Sequence, residues 1–361
     1  MPRLQHSLLH RAHTNSPHLR TLLPACRDLE SAQHELRWIR EHVSSLRPAS
    51  ASALKTSPRA QVSHERRIAH LCSRRGHGEP LQYVLGSQPF GGLDLKCRRG
   101  VLIPRPETEA YVMHVAGLIR KGAFGDLTPE SGFRILDLCT GTGCIALLLY
   151  EQLHKKFPGI QVTGLDISPT AVQLARRNLR QNVQAGMLPG KALGEGRVTF
   201  EEADVFKDGI YRHVPEGIDM LISNPPYISS RGFNTDTGRS VRNFEPKVAL
   251  VPDEKLQATA TSLDCDLEDV FYARLITVAS VLKPKIMLFE VGDMKQAERV
   301  AKLATTLGSS DDFGYEIWRD EPDGGDSELG THGSGFITRG EGHGRSVLVY
   351  RKSWGLVSHK V

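Results

Sequence analysis

Ile135-Leu136-Asp137-Leu138-Cys139-Thr140-Gly141-Thr142-Gly143 decides the fold. An aliphatic run ends in a glycine turn, and the turn leads into an Ala- and Leu-rich stretch that reads as a helix over about 143–154. Glycines at such a turn let a ligand approach the backbone closely. A second strand over 161–165 and a second helix over 169–181 repeat the pattern, and two β-α units in series predict a parallel, doubly wound sheet. The alternation continues with strands over 198–202 and 219–223, a helix over 267–282, a strand over 286–291 and a helix over 294–307. Terminal strands are expected over 315–319 and 346–351. Residues 183–196 and 320–344 are polar and glycine-rich, and read as mobile insertions outside the core.

Upstream of the sheet the character is helical. Leu29, Ala32, Leu36, Ile39, Val43 and Leu46 recur at spacings of three and four, which places them on one helix face, with Asp28 as N-cap. Residues 47–58, rich in Ser, Ala and Pro, read as a loop, and a basic helix follows over 60–74. Short apolar stretches with glycines at 86, 91, 92 and 100 make 80–103 a β-hairpin. The expected plan is a leader over 1–27, a small helical domain over 28–80, a hairpin connector over 81–103 and the α/β domain over 104–361.

The chain has 361 residues, 39% of them hydrophobic, enough for an ordinary core. Its longest apolar run, 145–150, is far short of the roughly 20 residues that span a bilayer, so no membrane span is expected. Six cysteines lie scattered without CxxC spacing, which suits a reducing compartment. His64, His70, Cys72 and His77 fit no ligand spacing, and no metal is expected. The net charge of +5 sits largely in the first 80 residues instead of forming a stripe, which speaks against sequence-specific nucleic-acid binding. Residues 1–27 carry Arg3, Arg11, Arg20 and Arg27 with no acid before Asp28. Two readings fit that composition: an organelle transit segment, or a basic first helix of the helical domain.

The glycine turn reads as a nucleoside site. Asp166 ends the next strand, where a carboxylate can accept from ribose hydroxyls. Gly141 to Ala146 also satisfies a relaxed dinucleotide fingerprint, so the turn alone leaves NAD open. S-adenosylmethionine is favoured by Asp137 before the turn, Asp204 after the third strand, and Asn224-Pro225-Pro226-Tyr227 downstream. The expected cofactor contacts are Asp137, Thr140, Gly141, Thr142, Gly143, Cys144, Asp166, Asp204 and Asn224.

Asn224 to Tyr227 begin where a buried strand ends, the edge at which open α/β sheets bind ligands. An amide nitrogen is a poor nucleophile because its lone pair is delocalised, so a site must hold the NH2 group and aim it. The Asn224 side-chain oxygen and the Pro225 carbonyl supply two acceptors, and Tyr227 packs on a planar group. Positioning then carries most of the rate, with no metal or covalent nucleophile required. Asn224, Pro225, Pro226 and Tyr227 are the expected catalytic set.

With these motifs the chain resembles the HemK/PrmC-like peptide chain release factor glutamine N5-methyltransferases, as a mitochondrial, fungal-type member. The likeness covers about residues 28–351 and includes Gly78-Glu79-Pro80-Leu81-Gln82-Tyr83, Pro104-Arg105-Pro106-Glu107-Thr108-Glu109, Phe244-Glu245-Pro246 and Phe289-Glu290-Val291-Gly292. It implies a Rossmann-like class I S-adenosylmethionine-dependent methyltransferase sheet, joined by a β-hairpin to an N-terminal helical domain that helps hold the substrate. It further implies that the substrate is the glutamine of a Gly-Gly-Gln loop in a release factor. Arg105 and Glu107 are expected to line or brace the substrate pocket, and a monomer in the mitochondrial matrix, with the cytoplasm as alternative, is the expected setting. Cys139 stands where bacterial members often carry glycine, and Asp204-Val205 replaces an Asp-Trp pair. Two other readings stay open: a nucleic-acid amino methyltransferase acting on a flipped base, and an inactive module that binds a translation factor.

Overall fold

The computed structural model describes residues 4–46, 58–125, 127, 132–309, 311–324, 330–332 and 335–352. In chain order its helices and strands begin with α1 (His6–Asn15), α2 (Pro17–Cys26), α3 (Leu29–Ser45), α4 (Pro58–Gly76) and α5 (Leu81–Leu85). Then come β1 (Ser87–Phe90), β2 (Leu93–Lys96), α6 (Pro106–Lys121), β3 (Arg134–Leu138), α7 (Cys144–Leu153), β4 (Gln161–Asp166), α8 (Pro169–Gln184), β5 (Val198–Glu202) and β6 (Met220–Ser223). The rest are α9 (Ser230–Thr235), α10 (Arg239–Phe244), α11 (Gln257–Ser262), α12 (Val270–Leu282), β7 (Ile286–Glu290), α13 (Met294–Ala304), β8 (Phe313–Glu321), β9 (Gly330–His332), β10 (Phe336–Arg339) and β11 (Glu341–Arg351). Two units emerge, one of residues 1–87, 97–99 and 237–245, the other of 88–96, 100–236 and 246–361.

In the helical unit, side chains cap the helix starts where the sequence changes character. Ser16 accepts from His18 N with Pro17 opening α2, and Asp28 accepts from Ser31 N at 2.7 Å to open α3. Leu19, Leu22 and Leu23 of α2 are buried with Ala32, Leu36, Ile39 and Val43 of α3 and with Ile68 and Cys72 of α4. The expected boundary at 27/28 therefore falls inside one hydrophobic core, and the acid-free stretch supplies two of its helices. Leu46 leaves the apolar stripe as the exposed cap of α3. Most of the expected 47–58 loop lies outside the described residues.

This unit is also discontinuous in sequence. Ser240 of α10 donates to Gly78 O at 2.7 Å, and the Arg99 guanidinium sits 4.7 Å from the Phe244 ring centre. Arg74 grips Glu79 with two hydrogen bonds of 2.9 and 2.8 Å.

The second unit is built on a nine-stranded sheet of order β5-β4-β3-β6-β7-β11-β8-β10-β9. The first five strands run parallel, β11 is antiparallel to both β7 and β8, and β10 is parallel to β8. Chain order runs outward from β3 to β4 and β5, then returns to β6 on the other side of β3. The switch point between β3 and β6 opens a crevice at the strands' carboxyl ends. Leu138 and Ser223 are paired there, and Ser223 Oγ donates to Leu138 O at 2.7 Å, so the glycine loop and Asn224 leave the sheet side by side.

Three expectations are corrected. The hairpin is shorter than 80–103: α5 occupies its start, and β1-β2 packs on α8 through Asp94 N and Lys96 N, which donate to Asn182 and Asn178. Residues 183–196 bury Leu188 and Ala192 in the core cluster instead of standing outside it. The described residues within 320–344 extend the sheet, because β8 and β11 run on into this range and β9 and β10 add its edge.

Candidate functional site

The glycine loop bends sharply because three of its residues take left-handed backbone. Cys139 has φ 63°, Gly141 57° and Gly143 80°. The two glycines serve different ends. A Cβ on Gly141 would meet nothing within 4 Å, so this residue borders open space, whereas one on Gly143 would stand 2.9 Å from Phe200 Cζ and 3.0 Å from Ala175 Cβ. Gly143 lets α7 pack closely on the sheet. Cys139 pays the strain that a glycine avoids at the same angle.

Asp166, at the end of β4, accepts from Gly141 N with one oxygen and from Ser168 N with the other, both at 2.9 Å. Asp204 accepts from Phe206 N at 3.0 Å. Burial raises the Asp166 pKa above the usual carboxylate range. Asp137 is wholly buried, takes a 2.6 Å bond from Thr140 Oγ1, and is pushed up by burial to about 7.

These groups surround a cavity of about 340 Å³. Cys139, Thr140, Gly141, Thr142, Cys144, Asp166, Asp204, Asn224, Pro226 and Arg105 are on its wall. Asp137, Gly143, Pro225, Tyr227 and Glu107 are not among the residues lining it, and Glu107 is half-buried in the first turn of α6. Val205, Phe206, Ile210 and Phe271 give one part of the wall an apolar surface, with Phe206 edge-on to Phe271 at 4.9 Å. Two carboxylates that can accept from hydroxyl or amino groups, an apolar patch for a flat ring, and an uncrowded glycine backbone fit S-adenosylmethionine. The aromatic surface missing at Val205 is supplied by Phe206 and Phe271, the second of which lies far along the chain and gives no local signal.

At the end of β6, Asn224 Nδ2 donates to Glu290 Oε2 at 2.8 Å. The same oxygen accepts from Thr108 Oγ1 at 2.5 Å, and Glu290 Oε1 accepts from the Tyr227 hydroxyl at 3.1 Å. Glu290 is 1% exposed. Burial raises its pKa, while the Thr108 hydroxyl and the Arg345 charge oppose the rise. Tyr227 is raised too, by burial first and then by the Glu290 charge. The backbone after Asn224 is held by Gln296, whose Nε2 donates to Tyr227 O at 3.2 Å and to Asp269 Oδ1 at 2.9 Å. Ile228 N donates to Leu250 O at 2.8 Å.

Sequence reasoning chose Arg105 and Glu107 from the Pro-Arg-Pro-Glu-Thr-Glu stretch and passed over Thr108, which touches Asn224 at 3.4 Å. It also gave Glu290 no role. A signal was there: like Asp166, Glu290 is an acid at the carboxyl end of a sheet strand, and every residue before it in that strand is apolar.

A family model described as PrmC N-terminal domain matches residues 20–86, and one described as Methyltransferase domain matches residues 129–286. The mitochondrial MRF1 N(5)-glutamine methyltransferase MTQ1 of Saccharomyces cerevisiae is 33% identical over 302 residues, which cover 84% of this chain and 80% of that protein. The chain belongs to the release factor glutamine methyltransferase family. A probable MRF1 mitochondrial N(5)-glutamine methyltransferase of Schizosaccharomyces pombe is 33% identical over 70% of this chain and 73% of its own length. The release factor glutamine methyltransferase of Koribacter versatilis is 34% identical over 56% and 63%. As a member of this family the chain is a class I methyltransferase whose methyl donor is S-adenosylmethionine, so the dinucleotide reading of the glycine turn falls away. The match to the N-terminal domain begins inside α2, on the residues that share the helical core.

Proposed function

We propose that this protein methylates the side-chain nitrogen N5 of the glutamine in the Gly-Gly-Gln loop of a peptide chain release factor, the mitochondrial one. One observation carries the reading. The Asn224 amide has its NH2 end committed to Glu290, which turns its oxygen to serve as acceptor beside the cavity.

Thr140 to Cys144, Asp166 and Asp204 would hold S-adenosylmethionine, which supplies an electrophilic methyl group when bound. Asn224 Oδ1 and the Pro225 carbonyl accept the two N–H bonds of the glutamine amide. That pair of bonds fixes the orientation of the nitrogen and raises its electron density. The apolar wall limits water around the reacting nitrogen, and the proton released on it is taken by Asn224 Oδ1 and passed on to solvent. The glycines of the loop let the side chain reach into a narrow site.

The names of the yeast relatives support a mitochondrial setting, as does the basic, acid-free composition of residues 1–27. Because α2 belongs to the helical core, the address is read without removal of α2. Sequencing the amino terminus of the imported chain tests this: a terminus upstream of Pro17 is expected, and one beyond Cys26 contradicts it.

The central test is incubation with S-adenosylmethionine and a release factor carrying either the intact Gly-Gly-Gln loop or a substituted glutamine, followed by peptide mass spectrometry. Methylation is expected on the intact loop alone, and methylation that persists after the glutamine is replaced refutes the assignment. Asn224→Ala is expected to keep cofactor affinity and to lower kcat by about 10²–10³, the loss typical of one oriented acceptor or donor. Equal loss of both functions would make Asn224 a structural residue.

A further inference from the structure

Glu290 stands at the end of β7, next to β6 in the sheet, and its carboxylate gathers donors from three places in the chain: Thr108 in the first turn of α6, Asn224, and Tyr227. A carboxylate can accept all three bonds at once because it has only acceptor sites.

The geometry points to a role for Glu290 as a positioning residue: it dictates which end of the Asn224 amide faces the substrate. The inference rests on the reading of Asn224 as the acceptor for a glutamine amide. The oxygen and nitrogen ends of an asparagine side chain are nearly equal in size, and rotation about χ2 exchanges them. Facing a substrate NH2 group, the wrong end sets donor against donor. A buried acceptor that takes only the nitrogen end removes that alternative before substrate arrives. Glu290 itself touches no reacting atom, and its effect passes through Asn224.

Exchanging the two chemistries across the pair tests the idea. In Glu290→Gln an NH2 group replaces one carboxylate oxygen, and when it faces Asn224 the asparagine is driven to turn its oxygen away from the substrate. Turnover is expected to fall by about 10²-fold, with cofactor affinity held within about threefold, the pattern of a lost transition-state interaction. Asn224→Asp alone sets two carboxylates against each other and is expected to lose at least as much. In the double variant Glu290→Gln with Asn224→Asp, the new NH2 group donates to one aspartate oxygen while the other faces the substrate. The Thr108 hydroxyl can reverse and accept. The double variant is expected to recover at least about tenfold over Glu290→Gln, a non-additivity that residues acting as a unit display.

The measurements are kcat and KM for a Gly-Gly-Gln release factor, cofactor affinity by calorimetry, and melting temperature for each chain. Wild-type turnover in Glu290→Gln overturns the inference, as does loss of cofactor binding in step with activity. A folded double variant that is no more active than Glu290→Gln also overturns it, and it keeps the test decisive even if the single variant fails to fold. A wild-type chain that methylates no glutamine refutes the functional reading itself, and this inference with it.

Discussion

Gly141 and Gly143 share one turn and a left-handed backbone, yet a methyl group added to each meets different surroundings. Gly143→Ala brings its Cβ against Phe200 and Ala175 at a strained φ, so it is expected to cost about 2–4 kcal/mol of stability. Gly141→Ala carries the backbone strain, about 1–2 kcal/mol, without the clash, but projects toward the cavity. Calorimetric binding and thermal melts should therefore separate them: Gly143→Ala melts lower, and Gly141→Ala loses more cofactor affinity for each degree of melting temperature. The reverse order would remove Gly141 from the binding surface. Asp137 gives a second test at this scale. Its folded pKa of about 7 exceeds the ordinary 3.8, chiefly through burial, so the folded chain holds this proton more tightly than the unfolded one. The group's contribution to stability is fully present below about pH 4 and is lost as the pH rises through about 7. Asp137→Asn should flatten the fall in melting temperature between pH 5 and pH 8, and an unchanged slope would show that Asp137 does not titrate there.

Elements were legible where one local rule governed them. Asp28 opens α3 and Ser168 opens α8 as side-chain caps, and every strand from β3 to β7 begins or ends within a residue of its expected place. The edges were harder, since β9 and β10 come from a polar, glycine-rich stretch in which β10 pairs with β8 and β9 with β10 without an apolar pattern to mark them. In α1 and α2, charge pointed to a leader while Leu19, Leu22 and Leu23 sat at core spacing within the same ten-residue helix. The packing has a measurable consequence. A chain beginning at residue 28 removes these leucines from beside Ile39 and Ile68, exposing apolar surface worth about 1.5–3 kcal/mol for each side chain. It should lose more helical ellipticity than the deleted residues account for, and proteolysis should open α3 and α4. An undiminished signal from α3 and α4 would mean that the first two helices are dispensable to the core.

At the scale of the whole molecule, the parallel sheet followed from the β-α alternation, and the crevice from the reversal of strand order at β3 and β6. The candidate site was legible in part for the same reason: Asn224 and the glycine loop each end a strand, whereas the partnership of Asn224 with Glu290 and Thr108 joins segments that no spacing rule connects. The helical unit was misjudged for a like cause, because residues 237–245 join it across a long stretch of sequence. Phe244 is the residue to probe, since its ring receives the Arg99 guanidinium and lies near Gly78. Phe244→Ala removes a cation–π contact and part of an apolar surface, together about 1–2 kcal/mol. Ser240 still reaches Gly78, so the unit should loosen locally without coming apart. Hydrogen exchange should quicken in residues 74–85, which hold Arg74, Glu79 and α5, while β3, β4 and β6 keep their protection. Faster exchange confined to the sheet would place Phe244 with the α/β unit, and with it the segment that follows the Asn-Pro-Pro-Tyr turn.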